Sequence, residues 1–222
     1  MVHFQNGECV VKKSIRAVID GLREKKERVG ATDRSRQRAS SPMYSRAAVH
    51  ESGHTLLGWF SLYAKNVQSV IIHGDGGGAT HFASRIDRPA ACWDMIVVVL
   101  AGVAAEMAVF GSGGRGAKKD FETARTFAQK IIAEESARVP AVCPWKHIKM
   151  DKSLDFRTVF SPAPSKRECE ILRICYDRAR SLLLTHCAVL DKLTAELDKK
   201  GSLTEADLLR LLGPRPWTRL GR

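Results

Sequence analysis

The most informative absence in this 222-residue sequence is that of any cysteine pair at Cys-x-x-Cys spacing. The six cysteines stand at positions 9, 92, 143, 169, 175 and 187. Paired cysteines mark zinc ribbons and dithiol redox sites, so both kinds of site are excluded. Unpaired thiols are typical of a reducing compartment, and the first residues lack an apolar core of signal-peptide length. We therefore expect a cytoplasmic protein with free thiols.

Long apolar runs and repeats are also missing. The longest apolar run, MIVVVLAGVAAEMAVF at 95–110, contains Glu106 and is shorter than the roughly 20 residues of a membrane-spanning helix. We interpret it as a buried helix and expect no membrane segment in the chain. Neither an internal repeat nor a low-complexity tract is present, which excludes a solenoid.

Acidic residues are outnumbered, with 24 Asp and Glu against 36 Lys and Arg and a net charge of +12. Such a balance suits nucleic acid or an acidic surface as partner. The basic residues are spread along the chain, however, and no nucleic-acid-binding motif accompanies them. We therefore interpret them as a solvated coat and do not expect nucleic acid as a partner. A salt-dependent shift on DNA or RNA would change that interpretation.

Charge and composition divide the chain into three parts. Residues 1–41 contain ten basic and five acidic residues and end in the polar stretch ATDRSRQRASS. We interpret them as a basic N-terminal arm or linker, although their charge would also suit an acidic partner. Residues 42–212 are predicted to form the folded domain, and 213–222 a basic C-terminal tail.

The apolar patterns predict a mainly α fold with a two- to three-stranded β-sheet near the helix that follows Ser41. Strands are predicted at VQSVIIH (67–73) and ATHFASR (79–85), joined by the turn GDGGG. The prolines of 138–165 predict a long loop or lid. A first helix is predicted from a cap at Ser41, with Pro42 at its first position, to about Leu62. Two further helices are predicted from after Pro89 to the glycine cluster 111–116 and over 117–135. One long helix stopped by Gly201 is predicted over 165–200, and a short one in LTEADLLRLL.

The first of these helices contains a His-Glu-x-x-His motif in AAVHESGHTLLGWF, residues 47–60. His50 and His54 are four residues apart, so they lie on one helix face and can bind one zinc ion. Glu51 can reach a water at that ion and act as general base. The alternative is that the three side chains merely hydrogen-bond to each other. We favour zinc because burying them in so apolar a helix without a partner is costly.

The motif does not contain a third ligand. The extended metzincin pattern requires Gly and His where this chain has Leu57 and Phe60, so that class is excluded. Among the acidic residues downstream, two remain as candidates. Glu106 lies inside the apolar helix, and Asp120 lies near the start of the helix after the glycines. The residues alone leave both open.

Four stretches in order resemble the zinc-peptidase domain of FtsH-type AAA proteases, and the resemblance covers about 42–212. VHESGHTLLGWF is similar to the family's His-Glu-x-Gly-His helix, and VQSVIIHGDGGGATHFASR to the strand pair after it. VLAGVAAEMAVFG is similar to LxGRxAEEIxFG, with Val103 in place of Arg and Met107 in place of the second Glu. GRGAKKDFETARTFAQKII is similar to TGAxNDLxxATxxAxxMV, whose Asp is the third zinc ligand. That Asp corresponds to Asp120, so the resemblance implies zinc held by His50, His54 and Asp120.

The resemblance also suggests roles around the ion. Glu106 would orient a zinc-bound His, while an ion pair with a buried Arg is an equally open alternative. The second strand is an edge strand that would bind an extended peptide through main-chain hydrogen bonds. His73 and His81 could contact substrate, although exposed histidines are more common. The strand residues implied in substrate binding are Ala79, Thr80, His81 and Phe82.

These features predict a zinc metalloendopeptidase for unfolded or extended polypeptides, ATP-independent by itself because the chain as given contains no ATPase domain. The alternative is a catalytically weak or inactive FtsH-peptidase-like module for binding or regulation that acts with a partner ATPase. A separate AAA ATPase and a homo-oligomer are the assemblies that the resemblance suggests. Glu51 favours the enzyme, since a binding module has no need of a general base.

Overall fold

The computed structural model describes residues 44–61, 67–83, 89–114, 116–137 and 154–215. These ranges confirm the predicted mainly α fold with a small sheet. The sheet consists of β1 (Val67–Ile72), β2 (Gly78–Phe82) and β3 (Ser202–Thr204). The helices are α1 (Arg46–Phe60), α2 (Pro89–Phe110), α3 (Ala117–Ala137), α4 (Phe156–Val159), α5 (Lys166–Thr185), α6 (Cys187–Lys200) and α7 (Glu205–Leu212).

Helix α1 begins later than predicted. Tyr44 and Ser45 are not helical, and the extended Ser45 accepts a hydrogen bond from the backbone N–H of Ala48. The helix start predicted at Ser41 and Pro42 is therefore wrong, because Ser45 is the residue that satisfies the first free N–H groups. Ser41 and Pro42 themselves lie outside the described ranges.

Helix α2 is the centre of the fold and packs against α1, α3 and α5. Small residues let α1 approach it closely. A Cβ atom built on Gly53 of α1 would overlap the carbonyl oxygen of Ala101. By length and composition alone the segment Ala91–Phe110 could cross a membrane, but most of it is buried inside the fold. This burial agrees with the predicted core helix.

The sheet is antiparallel with the order β2-β1-β3. Val70 of β1 pairs with Thr80 on one side and with Leu203 on the other. Among the described strands β2 pairs with β1 alone, so within the described ranges no strand pairs with its outer edge. The strands join through the predicted glycine turn, in which Gly76 has φ 86°. A positive φ of this kind suits glycine because it has no Cβ atom.

The single long helix predicted for 165–200 is wrong, because the structure has two helices there. Helix α5 ends at His186, whose backbone leaves the helical region (φ −105°, ψ 26°), and α6 begins at Cys187. The break lets α5 pack against α2 and α3 while α6 packs against α1. The apolar repeat runs on through the break, so periodicity does not reveal it. Gly201 ends α6 as predicted, with φ 74°.

Several predictions fall partly or wholly outside the described ranges. Outside them lie the predicted arm 1–41 and residues 138–153, which form most of the predicted lid. Most residues of the described part of the predicted lid, 154–165, are exposed, but Phe156 is buried and lies edge-on to Tyr176. Arg215, in the predicted tail, is buried and hydrogen-bonds to the carbonyl oxygen of Val67 at 2.6 Å. The four described cysteines are free and buried: Cys92, Cys169, Cys175 and Cys187.

Candidate metal centre

Three side chains from two helices converge on one point. His50 and His54 come from α1, and Asp120 comes from the first turn of α3. The two His Nε2 atoms are 3.0 Å apart, and Asp120 Oδ2 lies 2.9 Å from His50 Nε2 and 3.4 Å from His54 Nε2. Ligands about 2.0–2.1 Å from a tetrahedral zinc ion are themselves about 3.3 Å apart. The three donors therefore have nearly the spacing that zinc requires.

The hydrogen bonds of the two Nδ1 atoms determine which ring nitrogen of each histidine points to the common point. His54 Nδ1 lies 2.8 Å from the carbonyl oxygen of Val98, which can only accept, so Nδ1 carries the proton. His50 Nδ1 donates in the same way to Glu106 Oε1 at 2.6 Å. Both Nε2 atoms therefore point to the common point, where a metal ion would bind in place of a proton.

The charges around the point where the three side chains converge favour a bound cation. Asp120 Oδ2 is buried and has no hydrogen-bond partner among the described residues. Burial alone lowers the pKa of His50, but its contacts with the carboxylates of Asp120 and Glu106 outweigh burial and raise that pKa to about 10. Burial alone raises the pKa of Asp120, but its contacts with His50 and His54 hold it far below its usual range. A site that attracts positive charge and offers two imidazole nitrogens and one carboxylate suits a zinc ion.

Glu51 lies beside these ligands and is held by the sheet. Its Oε2 accepts a hydrogen bond of 2.8 Å from the hydroxyl of Thr80 on β2. The backbone of β2 passes so close that a Cβ atom on Gly78 would lie 2.6 Å from Glu51 Cγ. The carboxylate is therefore fixed between α1 and the inner part of β2.

A cavity of about 490 Å³ opens over the ligands and Glu51. Of the strand residues implied in substrate binding, Ala79, Thr80 and Phe82 line it. His81 is exposed and is not part of the lining, and the same holds for His73. The structure therefore brings the main chain of β2 to the site but directs these two histidines elsewhere.

Glu106 contacts both His50 and an arginine, Arg46, which is exposed and not buried as the alternative required. The Glu106 side chain is 2% exposed. Oε1 contacts His50, and Oε2 accepts from Arg46 Nη1 at 2.6 Å and from the backbone N–H of Gly114. Burial alone raises the pKa of Glu106, but the hydrogen bonds from His50 and Arg46 outweigh it and lower that pKa. Glu106 is thus an ionised carboxylate that holds the imidazole of His50.

Sequence reasoning missed two residues of the site. Arg46 precedes His50 by four positions and His54 by eight, and this helical spacing is the signal that could have placed it on their face. Gly102 of α2 lies directly under the ligands. A Cβ atom there would lie 2.6 Å from His54 Nε2 and 2.7 Å from His50 Nε2. The signal that could have found it is the fixed glycine of the similar segment LxGRxAEEIxFG, which corresponds to Gly102.

Comparison with known proteins adds the family. The profile of peptidase family M41 matches residues 39–211 of the chain. The chain belongs to peptidase family M41. Three relatives illustrate the similarity of this M41 domain to longer proteins. The "ATP-dependent zinc metalloprotease FTSH 3, mitochondrial" of Arabidopsis thaliana is 30% identical over 98% of this chain and 26% of its own length.

The other two relatives are a fungal and a bacterial protein. The "Mitochondrial inner membrane m-AAA protease component YTA10" of Saccharomyces cerevisiae is 28% identical over 93% of this chain and 27% of its own length. The "ATP-dependent zinc metalloprotease FtsH 1" of Rhodopirellula baltica is 28% identical over 79% of this chain and 28% of its own length. This M41 domain therefore spans about a quarter of the length of these relatives, and the predicted FtsH-type peptidase domain is confirmed.

Proposed function

We propose that this M41 domain is a zinc metalloendopeptidase that hydrolyses peptide bonds in unfolded or extended polypeptides. The observation that carries the proposal is the convergence of His50, His54 and Asp120 within 3.4 Å of one another, with Glu51 beside them. The names of the relatives, which include zinc metalloproteases, support the same chemistry. A domain that served only for binding would not require this arrangement.

The residues of the site suggest how the work is divided. Zinc, when bound by His50, His54 and Asp120, supplies a Lewis acid that polarises the scissile carbonyl and makes a water molecule more acidic. Glu51 takes a proton from the attacking water and passes it to the departing amine. Thr80 holds one oxygen of Glu51 throughout. These assignments rest on side-chain geometry and are tested below.

The outer edge of β2 supports an extended substrate. A peptide that pairs with this edge forms main-chain hydrogen bonds and needs no particular side chains. Gly78, Ala79 and Thr80 line the cavity next to Glu51, so the paired peptide would run past the base and the metal ligands. A folded domain seldom offers an unpaired strand. Unfolded and extended polypeptides are therefore the substrates that suit this edge.

A second candidate function is a binding or regulatory module with little activity of its own, acting with a partner ATPase. The observation that favours it is that this chain spans about a quarter of relatives named ATP-dependent proteases or AAA protease components. A separate AAA ATPase, self-association and activity without ATP are all proposals at this stage. Location in the cytoplasm is a further proposal, which rests on the free thiols of the described cysteines.

A digestion assay on purified protein separates the two functions. The wild type should contain about one zinc ion per chain and cleave an unfolded casein-type substrate without ATP. Glu51→Gln should keep the metal and lose activity by about 100- to 10,000-fold, the usual contribution of a general base. Glu122→Gln, which changes an exposed carboxylate on α3, is the matched control. Equal background rates in wild type and Glu51→Gln would favour the module, and a wild type without metal would refute the zinc peptidase.

A further inference from the structure

Helix α2 carries Glu106 but contains no lysine or arginine. A carboxylate buried to this extent requires positive or hydrogen-bonding partners. One turn before it, where the similar FtsH-type segment has Arg, this chain has Val103, which is 1% exposed. The cation that faces Glu106 therefore comes from a different helix, and the structure identifies it as Arg46 of α1.

Arg46 is fixed by partners on both sides of its guanidinium group. Nη1 donates to Glu106 Oε2 at 2.6 Å and to the carbonyl oxygen of Ser112 at 2.7 Å. Nη2 lies 3.4 Å from the Ser112 hydroxyl, and the group lies over the ring of Phe110, 4.4 Å from its centroid. A planar fork with several donors suits such a site better than an ammonium group does. Arg46 thus binds Glu106 and the loop after α2 at the same time.

Gly114, in the loop after α2, packs against both Arg46 and Glu106. Its backbone N–H donates to Glu106 Oε2, and its carbonyl oxygen accepts from Ala117, the first residue of α3, at 3.4 Å. A Cβ atom on Gly114 would lie 2.8 Å from both Arg46 Cδ and Glu106 Oε2, so the loop can close this tightly only with glycine. Asp120 follows three residues after Ala117, in the first turn of α3.

We propose that Arg46 is a positioning residue of the metal centre, acting through a clasp formed by Arg46, Glu106, Ser112 and Gly114. The clasp orients the ring of His50 through Glu106, and it fixes the start of α3, and with it Asp120, through Gly114. Two of the three proposed ligands thereby depend on one arginine that is not itself a ligand. This proposal rests on the zinc site of the proposed function.

Loss of the clasp should change the affinity for zinc, whereas loss of an ordinary ion pair changes mainly the free energy of unfolding. The Arg46 side chain is 41% exposed, and Glu106 keeps its hydrogen bonds with His50 and Gly114 when Arg46 is removed, so the loss in the free energy of unfolding should be smaller than for a fully buried ion pair. Partners of metal-bound histidines, in contrast, typically change metal affinity by about 10- to 100-fold. Zinc affinity is therefore the quantity that distinguishes a positioning role from a structural one.

The test measures the zinc dissociation constant by competition with a chromogenic chelator, together with the visible spectrum of the Co²⁺-loaded protein. Arg46→Met should bind zinc about 10- to 100-fold more weakly and change the cobalt spectrum. Arg46→Lys should fall between this variant and the wild type, because an ammonium group keeps the charge but lacks the fork. Arg210→Met is the matched control, since Arg210 is an exposed arginine on α7 that pairs with Asp207.

Gly114→Ala disturbs the clasp by crowding Arg46 and Glu106 without replacing either residue, and it should also weaken zinc binding. A folded Arg46→Met protein with wild-type zinc affinity and cobalt spectrum would overturn the proposal. Should Arg46→Met fail to fold, the test passes to Arg46→Lys and Gly114→Ala, and wild-type affinity in both would overturn it equally. A wild type that binds no zinc would instead refute the proposed function, so the two failures are distinguishable.

Discussion

The hydroxyl of Thr80 donates a 2.8 Å hydrogen bond to Oε2 of Glu51 and so joins strand β2 to helix α1 inside the cavity. The same hydroxyl lies 3.2 Å from that of Thr55, one helical turn beyond Glu51. Because Thr80 belongs to this strand, the surface proposed for substrate and the proposed base share one hydrogen bond. A shift of strand β2 would therefore displace the carboxylate of Glu51, and a shift of Glu51 would displace the strand.

Thr80→Val should remove this contact while keeping the shape of the side chain. A hydrogen bond to a charged group is worth about 1.5–3 kcal/mol, so kcat should fall by about 10- to 100-fold. Zinc content should stay at the wild-type level, because Thr80 is not a ligand. Steady-state peptide cleavage and metal analysis measure the two quantities. Thr185→Val, an exposed threonine on α5, is the control, and an unchanged kcat in Thr80→Val would show that the contact does not position the base.

Gly102→Ala should displace the ligands with a single methyl group. That group would lie 2.6 Å from His54 Nε2 and 2.7 Å from His50 Nε2. We expect the variant to lose most of its zinc and its activity, with a destabilisation of about 1–3 kcal/mol from overpacking. Metal analysis and thermal unfolding measure these effects. Gly74→Ala is the control, because a Cβ atom there meets nothing within 4 Å. Full zinc content in Gly102→Ala would contradict the close packing under the site.

Zinc removal should lower the melting temperature, and the effect should require Asp120. A ligand present at about 100 times its dissociation constant stabilises the folded state by about 2.7 kcal/mol. For a domain of this size that corresponds to an increase of about 5–10 °C. Asp120→Asn should largely lose this increase, whereas Asp75→Asn in the glycine turn should keep it. Calorimetry with and without a chelator provides the measurement. The same increase in Asp120→Asn would remove Asp120 from the ligand set.

Glu168 should make the domain sensitive to acid. Burial alone raises the pKa of Glu168, but hydrogen bonds from Arg125 and the Ser165 cap outweigh it and lower the pKa to about 2, from 4.5. A lowered carboxyl pKa stabilises the fold above about pH 4.5, and this stabilisation is lost as the pH falls towards 2. Glu168→Gln should cost about 1–3 kcal/mol at neutral pH and make the acid-dependent loss less steep.

Denaturant unfolding at several pH values compares Glu168→Gln with the wild type. Glu122→Gln is again the matched control, because it alters an exposed carboxylate on the neighbouring helix α3. Its acid profile should follow that of the wild type. A Glu168→Gln profile that runs parallel to the wild type between pH 5 and pH 2 would show that Glu168 does not stabilise the fold in its ionised form.

The sequence predicts local features of this fold better than the contacts between them. Helical spacing places His50 and His54 together, and apolar composition identifies α2 as the core helix. Asp120 required the resemblance to FtsH-type peptidases, because the residues alone left Glu106 equally open. In the structure both acids serve the site, one facing the common point and the other holding His50 from behind. Which of two acids faces the ion depends on helix packing, which spacing does not encode.

The wrong predictions also have physical causes. Ser41 and Ser45 both suit a helix cap, and only the packing of the chain selects Ser45. The break at His186 involves neither glycine nor proline, so no local signal accompanies it. Arg46 shares the helix face of His50, but its partners Glu106 and Ser112 are about 60 positions away. The cytoplasmic location, the domain boundaries and the roles of the site residues stay predictions.

The division of the metal ligands between two helices has a consequence for how the protein matures. Asp120 follows His54 by 66 positions, and it reaches the histidines only when α1 and α3 have both packed against α2. A chain still leaving the ribosome has the two histidines first and lacks the third donor. Metal capture by all three side chains therefore waits for a completed tertiary structure. With the proposed ligand set, a nascent chain would therefore lack the proposed peptidase activity until it has folded.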